Sequence, residues 1–430
     1  MNIFGLTLGR KATKPSAEKT VASPVRGALA DFLLSSDITP GQAVNFYKTV
    51  GPVAVSVEMI AGEVEKLTPV LIRKSDKKID SAHDVVSLLL GPNGFESFEQ
   101  VIGTLARSYL LTASAKVTLS GNINRPPLEL FAVRAGATSS QYDQNDGFAR
   151  LIHVTSGPIQ GVYLREEKRN RVRYLDGAMR EVGLIQGYAS RSGADPDSPL
   201  NACAMDARQS VLSRQHNLGV LSNGGRLSLV FLFKDSVGEE EMNARRERIH
   251  EDFSGSGNAG KISVIQSGDL EIKEAAKGKV DMDFSVLDRA SGDAIYTRFK
   301  IPLPLVRQDA ATYDNMRQSV FQLYDRAVLP LARTLLAGLS RVLLPRYGID
   351  PAEYVLGYDE QSIAPLYDRM IEVLEKRKKI GVETINELRA EIPGREPIEG
   401  GDALYQPSTL VPVGTDIFTT DNETVFDLKT

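Results

Sequence analysis

The segment PDSPLNACAMDARQSVLSRQHNLGVLSNGG, residues 196–225, predicts a long helix with well-defined ends. Ser198 is a favoured N-cap residue, and Pro199 suits the first helical position because no intrahelical bond needs its missing N–H. Apolar residues then recur at helical spacings until Asn223-Gly224-Gly225 ends the pattern: Leu200, Ala204, Ala207, Val211 and Leu218. A second helix is predicted at Asp281–Lys300, where Ile301-Pro302 stops it.

The insertion between these two helices has its own αβ pattern. A strand is predicted at Leu227–Phe233, a charged helix at the Ser236-x-x-Glu239 capping box, then a glycine loop and a strand at Lys261–Gln266. Residues 223–280 hold nine Lys or Arg against ten Asp or Glu, without interleaved aromatic residues that could stack on bases. The insertion is therefore not a nucleic-acid-binding patch.

The chain before residue 196 predicts an α+β arrangement. A helix opens at Pro40, is interrupted at Gly51-Pro52 and resumes, and it is followed by an extended run at Thr68–Arg73. Shorter helices are expected at Ser81–Leu90 and Ser97–Thr112. Strand-like stretches then dominate: Lys116–Ser120, Leu128–Arg134, Leu151–Thr155, Val172–Leu175 and Val182–Gln186.

The chain after residue 302 predicts helices separated by short loops. A strong helix at Met316–Leu344 contains Pro330, which should kink it by removing one backbone hydrogen bond. Gln361–Ile380 is amphipathic, Gly381 is placed to cap it, and Thr384-x-x-Glu387 opens another short helix. Beyond Pro393 the sequence is rich in turn residues.

Composition limits the classes of function. The chain has 430 residues and 42% apolar content, enough for two or three packed units. Its 51 Lys plus Arg against 55 Asp plus Glu give a net charge of −4, too even for strong electrostatic DNA binding. A single cysteine, Cys203, excludes an internal disulfide framework and fits a reducing compartment.

The sequence predicts no membrane segment. No run approaches the roughly 20 apolar residues of a membrane-spanning helix, and Met1–Arg26 lacks the compact apolar stretch of a signal peptide. Those first residues carry five basic side chains and one acidic side chain among Pro, Ser, Thr and Ala. We expect a solvated, mobile basic tail there.

One motif resembles a phosphate-binding P-loop. Gly255-Ser-Gly-Asn-Ala-Gly-Lys261 matches the pattern, but Ile262 stands where a Ser or Thr hydroxyl must bind magnesium. A P-loop also runs from strand to helix, so that the helix dipole faces the phosphate, whereas here a helix is predicted before the loop and a strand after it. We therefore interpret the motif as a turn.

No catalytic or metal-binding constellation is visible in the sequence. The four histidines (His83, His153, His216 and His250) are far apart and lack the spacing of a metal site. There is no GxSxG nucleophile elbow, and Cys203 falls within an amphipathic helix, where a buried inert thiol is expected. The sequence predicts no enzyme activity and no cofactor.

A set of strings distributed from Ala43 to Asp402 resembles one known family. The strings are Ala43–Arg73, His83–Asn93 (HDVVSLLLGPN), Pro196–Leu200 with Leu221–Gly225, Gly257–Gly268, Phe299–Pro302 and Val320–Pro330. The sharpest is Gly381–Arg389 (GVETINELR), followed by Gly400-Gly-Asp402. Together they resemble the portal proteins of tailed bacteriophages, in the version common among phages with long non-contractile tails.

The resemblance implies an α+β portal fold with wing, stem, clip and crown parts, assembled as a ring. It implies a mobile tail at 1–39, a wing at 40–198, stem helices at 199–224 and 281–301 around a small αβ clip at 225–280, a tunnel loop at 302–315, a long kinked wing helix at 316–348, a crown at 349–392 with its helices at Gln361–Arg389, and an extended tail at 393–430.

The resemblance also implies a function and partners. Twelve copies would form a ring at one capsid vertex of the virion, after synthesis in the cytoplasm of the host bacterium. The ring would be the channel for DNA packaging and ejection, and double-stranded DNA would pass through it without sequence preference. The implied protein partners are the major capsid protein, the terminase large subunit and then the head-tail adaptor, with no membrane involved.

Two groups of site residues follow from this map. Arg307, Gln308 and Thr312 are the tunnel-loop candidates, and Glu239, Glu240, Arg245 and Arg246 are the clip-surface candidates for terminase or adaptor. In a twelvefold ring, one Arg307 per subunit would make a ring of positive charge. An equally good interpretation pairs Arg307 with Asp309 or with a neighbouring subunit.

Two alternatives belong to other classes. Another ring-forming connector or adaptor would also lack catalytic residues, but it should lack two helices around an αβ insertion. An ATP-driven motor or a nuclease needs a complete P-loop or a cluster of metal-binding carboxylates, which the sequence lacks.

The P-loop-like motif gives the first prediction. The wild-type protein should show no saturable ATP binding by calorimetry, and Lys261→Ala should leave that result unchanged, because Ile262 cannot bind magnesium. A binding isotherm in the wild type that the variant abolishes would contradict our interpretation of this loop.

Overall fold

The computed structural model describes residues 38–143, 145, 149–168, 171–176, 180–189, 195–222, 229–233, 238–244, 247, 270–274, 284–307, 313–381, 383–392 and 395–403. These residues belong to two compact units. The first unit contains the chain up to Ala61, Thr104–Thr118 and Ala132–Leu303. The second contains Gly62–Gly103, Leu119–Phe131 and the chain from Pro304.

The secondary-structure elements follow in chain order. The helices are α1 (Pro40–Thr49), α2 (Gly51–Glu65), α3 (Asp84–Leu90), α4 (Phe98–Thr112), α5 (Ala204–Ser222), α6 (Phe284–Arg298), α7 (Tyr313–Leu323), α8 (Leu329–Leu343), α9 (Ala364–Ile380) and α10 (Ile385–Ala390). The strands are β1 (Pro69–Arg73), β2 (Ile79–Asp80), β3 (Ser114–Leu119), β4 (Leu130–Val133), β5 (Thr138–Tyr142), β6 (Ala149–Val154), β7 (Gly161–Lys168), β8 (Arg171–Leu175), β9 (Glu181–Gln186), β10 (Leu229–Phe233), β11 (Leu270–Glu274) and β12 (Tyr354–Tyr358).

A seven-stranded sheet organises most of the first unit. Its order is β4-β3-β9-β8-β7-β6-β5, and the five strands from β5 to β9 form an antiparallel meander. In β6, Ile152 and Val154 are buried while His153 between them is exposed, as expected for a strand with one face on a core. The sequence predicted β3, β4, β6, β8 and β9 approximately and missed β5 and β7.

The helices of the first unit begin as the sequence predicted. Thr39 and Gln42 form a capping box at the start of α1, and the chain breaks at Val50 before α2 begins at Gly51. Glu58 of α2 then joins three helices: it accepts two hydrogen bonds from Arg107 of α4, at 2.9 and 2.6 Å, and one from the Tyr47 hydroxyl of α1. The Arg107 hydrogen bonds lower the pKa of the Glu58 carboxyl.

A three-stranded antiparallel sheet, β12-β1-β2, lies in the second unit. β1 pairs with β12 from Pro69 opposite Tyr358 to Arg73 opposite Tyr354. The sequence predicted helices from residue 361 onwards and did not predict β12. The partner strand of β12 is almost three hundred residues away, so no local pattern reveals it.

The long helix of the second unit is interrupted next to Pro330, as the sequence predicted. A π-helical turn at Tyr324–Val328 separates α7 from α8, and the Leu329 N–H donates to the Tyr324 carbonyl. Pro330 has no N–H to donate to a carbonyl in the preceding turn. The backbone bonds just before it therefore change from the i to i−4 pattern of an α-helix to the i to i−5 pattern of a π-helix. Tyr324 also donates its hydroxyl to Glu63, at 2.5 Å, which fixes this turn on α2.

The run Asn315–Tyr347 is long and apolar enough to cross a membrane by length and composition, contrary to the sequence-based expectation. However, 61% of its most apolar window is buried inside the protein. Leu331, Leu335 and Leu339 form one buried face of α8, and Ser340 accepts the Leu356 N–H of β12 at 2.8 Å. These contacts identify a core helix.

The short helix α10 is joined to the turn-rich segment after it by Asn386. Its side-chain amide donates to the Ile398 carbonyl and to Asp402, at 3.0 and 2.8 Å, while its carbonyl oxygen accepts the Ile398 N–H at 2.9 Å. A Cβ at position 401 would lie 2.3 Å from the Asn386 oxygen, so a larger residue there would have to displace the Asn386 side chain. Gly381, with φ +72°, and the Thr384–Glu387 capping box confirm the predicted boundaries of α9 and α10.

This arrangement predicts the effect of Asn386→Ala. The three lost side-chain hydrogen bonds should loosen residues 395–403 and lower the local free energy of opening by about 1–3 kcal/mol. Faster hydrogen exchange of those amides would report it. The matched control Asn124→Ala, at an exposed loop position, should change neither this exchange nor the stability.

Candidate functional site

The helix α5 begins with a cap that joins it to α4. The Ser198 hydroxyl accepts the Leu200 N–H at 3.1 Å and donates to the Leu111 carbonyl at 2.6 Å, which confirms the predicted N-cap. The next turn, Pro199–Cys203, is a 3-10 helix before the α-helical part starts at Ala204.

The helices α5 and α6 form an antiparallel pair linked at both ends. Asp288 of α6 accepts a 2.6 Å hydrogen bond from Ser210, which is 1% exposed, and lies 3.6 Å from the Arg214 guanidinium. At the other end, Arg298 donates from Nε to the Pro199 carbonyl at 3.0 Å. The two helices that the sequence predicted around the insertion therefore pack side by side.

The helix α6 ends in a Schellman motif whose left-handed residue is Lys300. The Ile301 N–H donates to the Tyr296 carbonyl at 2.9 Å and the Lys300 N–H to the Thr297 carbonyl at 3.0 Å. Lys300 has φ +60°, where glycine is usual. Ile301 is 3% exposed and anchors this end in the core.

The segment after Pro302 contains the candidate tunnel loop. Leu303–Leu305 form one 3-10 turn, and Arg307 is half-buried. Gln308 and Thr312, as well as Asp309, lie outside the described residues. The grouping of Arg307, Gln308 and Thr312 in one site therefore stays a prediction.

The candidate clip contains an antiparallel ribbon of β10 and β11, paired from Leu229 opposite Glu274 to Phe233 opposite Leu270. The sequence predicted β10 but not β11, and its predicted strand at Lys261–Gln266 lies outside the described residues, as does the P-loop-like motif. Glu239 and Glu240 are exposed on a helical segment at residues 239–244. Arg245 and Arg246 are not described.

The described residues contain no group of His, Cys, Asp and Glu that could hold a metal ion. His83 serves as the N-cap of α3, where its Nδ1 accepts the Val85 N–H at 3.1 Å. Cys203 is 2% exposed, and burial raises the pKa of its thiol to about 11. A thiol in this state is a poor nucleophile, which agrees with the core role that the sequence predicted.

A buried lysine is a feature that the sequence did not reveal. Lys116 of β3 is 7% exposed and borders a cavity of about 50 Å³. Its amine donates to the hydroxyls of Ser114 and Thr138, at 3.3 and 3.0 Å. Burial lowers the pKa of Lys116 to about 8, against the opposing effect of Asp195. These contacts join β3 to β5, so a structural role accounts for the lysine.

The described residues therefore define a mixed α+β protein with a linked pair of antiparallel helices. The chain belongs to the phage portal protein family, whose profile matches residues 52–392.

A sequence relative matches most of the chain, and solved structures share its fold. A protein of Rickettsia bellii (strain RML369-C), described only as uncharacterized, is 24% identical over 383 residues, which cover 87% of this chain and 95% of the relative. A chain from the neck of a native gene transfer agent particle with C12 symmetry is 19% identical, with a TM-score of 0.54, and the match covers 87% of this chain and 100% of that one. An HK97-family phage portal protein from Corynebacterium diphtheriae is 11% identical, with a TM-score of 0.50 and coverages of 76% and 96%.

The left-handed Lys300 gives a prediction on stability. Lys300→Gly should stabilise the protein by up to about 1 kcal/mol, because the left-handed conformation costs residues other than glycine roughly 1–2 kcal/mol, partly offset by the backbone entropy of glycine. Thermal unfolding would show a higher Tm.

The control for this prediction is Thr297→Gly, one turn earlier in α6, which should lower the stability by about 0.3 kcal/mol, the difference in helix propensity between threonine and glycine. A lower Tm for Lys300→Gly than for the wild type would contradict the assigned helix end.

Proposed function

We propose that this chain is the subunit of a dodecameric portal ring, which forms the channel for DNA at one vertex of a phage or prophage-derived particle. The observation that carries the proposal is the family match over residues 52–392, together with the likeness of the fold to a chain in a particle neck of C12 symmetry. A protein of this class is a structural component of the virion, and we propose no enzymatic role for it.

The helix pair supports the assignment of a stem. We propose that residues 199–224 and 281–301 are the stem helices, with the clip at 225–280 facing terminase during packaging and the head-tail adaptor afterwards. Glu239 and Glu240 are exposed on a helical segment there and available to a partner. Residues 40–198 and 316–348 would form the wing, and residues 349–392, which include the helices α9 and α10, would form the crown.

The charge balance of the chain suits a conduit. DNA of any sequence must pass quickly, and each phosphate contact adds to an affinity that would arrest movement. The net charge of −4 avoids such affinity over most of the subunit. Twelve symmetric copies multiply any contact that remains, so one Arg307 per subunit in the tunnel loop would be enough to guide or retain DNA.

Ring formation is the first test of the proposal. Native mass spectrometry and negative-stain images of the purified protein should show closed rings, predominantly of twelve subunits. Monomers or dimers at all concentrations would reject the ring, and a ring without a central channel would favour another class of connector.

The tunnel loop gives the prediction that separates assembly from DNA handling. Deleting Gln308–Thr312 should leave ring assembly intact, because these residues offer little apolar surface to subunit packing. Particles built with the shortened loop should be empty or should leak DNA in a packaging assay. Filled heads at normal yield would reject the loop assignment.

Arg307→Ala is the matched point substitution in the same assay. If the Arg307 guanidinium meets phosphate, the variant should reproduce part of the DNA-retention defect. If Arg307 forms an exposed ion pair instead, that pair is worth only about 0–1 kcal/mol and its loss should be almost silent. Arg395→Ala, at an exposed position, serves as the control and should package normally.

A further inference from the structure

An open groove of about 480 Å³ lies on the first unit beside the start of α5. Its walls combine aromatic and small residues: Tyr109, Ala113, Gly187, Tyr188, Pro199 and Ala202. Tyr188 is 79% exposed, which is unusual for so large an aromatic side chain in a concave surface. A volume of this size is within the range of about 300–1,000 Å³ that is typical of binding clefts.

The floor of the groove is kept shallow by close packing. The Gly187 N–H donates to the Ala113 carbonyl at 2.7 Å, and a Cβ on Gly187 would lie 3.1 Å from both the Ala113 Cβ and the Tyr109 hydroxyl oxygen. A larger residue at this position would push the end of β9 away from α4. The close approach of these two elements is what shapes the floor of the groove.

The chain itself arrives at the rim of this groove. The Ile38 N–H donates to the side-chain oxygen of Asn201 at 3.1 Å, and Asn201 is one of the residues that line the groove. Ile38 is 8% exposed and therefore firmly placed. The residues immediately before Ile38 start from this point, so they are covalently attached at the rim of the groove. The other undescribed segment next to the groove, residues 190–194, reads SRSGA and offers no large apolar side chain.

The sequence of that segment matches the chemistry of the groove. Residues 28–34 read ALADFLL, with one charged residue, Asp31, among apolar side chains. The groove offers mainly apolar walls, and its charged lining residues are the exposed cation Arg298 and the half-buried Asp197, which already has an interaction partner. Phe32 is six residues before Ile38, so the two residues lie at most roughly 20 Å apart. To enter the groove, the segment 28–34 would have to turn back over the rim at Ile38.

We propose that residues 28–34 occupy the groove of the same chain, with Phe32 against Tyr188 and Asp31 facing Arg298. This docking would cover the exposed Tyr188 ring and would leave only the basic residues before Gly27 as a solvated tail. It does not depend on the assembly of the ring, so it can be tested whether or not the proposed function holds.

The test is a photo-cross-link from Phe32 in the full-length protein. A benzophenone amino acid at position 32 should cross-link, at the mass of a single chain, to a peptide that contains Gly187, Tyr188 or the residues from Pro199 to Ala202. The matched control places the same group at Phe4, which precedes the docked segment, and should give no enriched cross-link in this groove.

Charge reversal tests the polar contact. Asp31→Arg should reduce the rate of the groove cross-link by up to about fivefold, the limit expected for an exposed ion pair, and Asp31→Arg with Arg298→Asp should restore it. Asp37→Arg, between the docked segment and Ile38, is the control and should leave the rate unchanged. Since Asp31 lies outside the described fold, the single variant remains interpretable even if Arg298→Asp lowers the stability.

Three outcomes would overturn the proposal. Cross-links at the mass of two chains would show that a second copy occupies the groove. Cross-links that map to other surfaces of the same chain would place the segment elsewhere. Equal yields from Phe32 and Phe4 would show that the groove does not select residues 28–34.

Discussion

The antiparallel pairing of α5 and α6 is the constraint on which the functional part of the chain depends. Asp288 accepts the Ser210 hydroxyl and lies beside Arg214, while Arg298 holds the Pro199 carbonyl at the other end. Since Ser210 is almost fully buried, loss of its partner would leave an unsatisfied polar group at a cost of about 1–3 kcal/mol. The pairing therefore sets the insertion at one end of the pair and the segment that follows Pro302 at the other.

The strings that carry the family resemblance contain side chains that hold nearby backbone segments in place by hydrogen bonds. Asn93 donates to the Leu130 carbonyl at 2.8 Å and accepts the N–H groups of Phe95 and Glu96. Asn386 likewise donates to the Ile398 carbonyl and accepts the Ile398 N–H, and a Cβ at Gly401 would displace its side chain. A side chain in this position must both donate and accept hydrogen bonds at a fixed geometry, and few residues other than asparagine can do so. In a structural protein, residues of this kind specify the fold.

Long-range contacts account for the features that local patterns did not reveal. β12 pairs with β1 across almost the whole chain, and β11 pairs with β10 across the insertion. Lys116 stands in a sequence of alternating small and apolar residues that gives no sign of a buried amine, yet the hydroxyls of Ser114 and Thr138 satisfy it. Burial and strand pairing depend on residues that are distant in sequence, so a local window contains no information about them.

The sequence by itself determined the α+β class, the two helices around an αβ insertion and most of the helix ends. Ser198, Thr384 and Gly381 could be identified as caps because a cap satisfies backbone groups within four residues. Only the tertiary structure decided the seven-stranded order of the sheet, the left-handed Lys300 and the π-helical turn before Pro330. Lys300 adopts its conformation because burial of Ile301 fixes the path of the chain, and the energy of that burial is set by neighbours that no local pattern specifies.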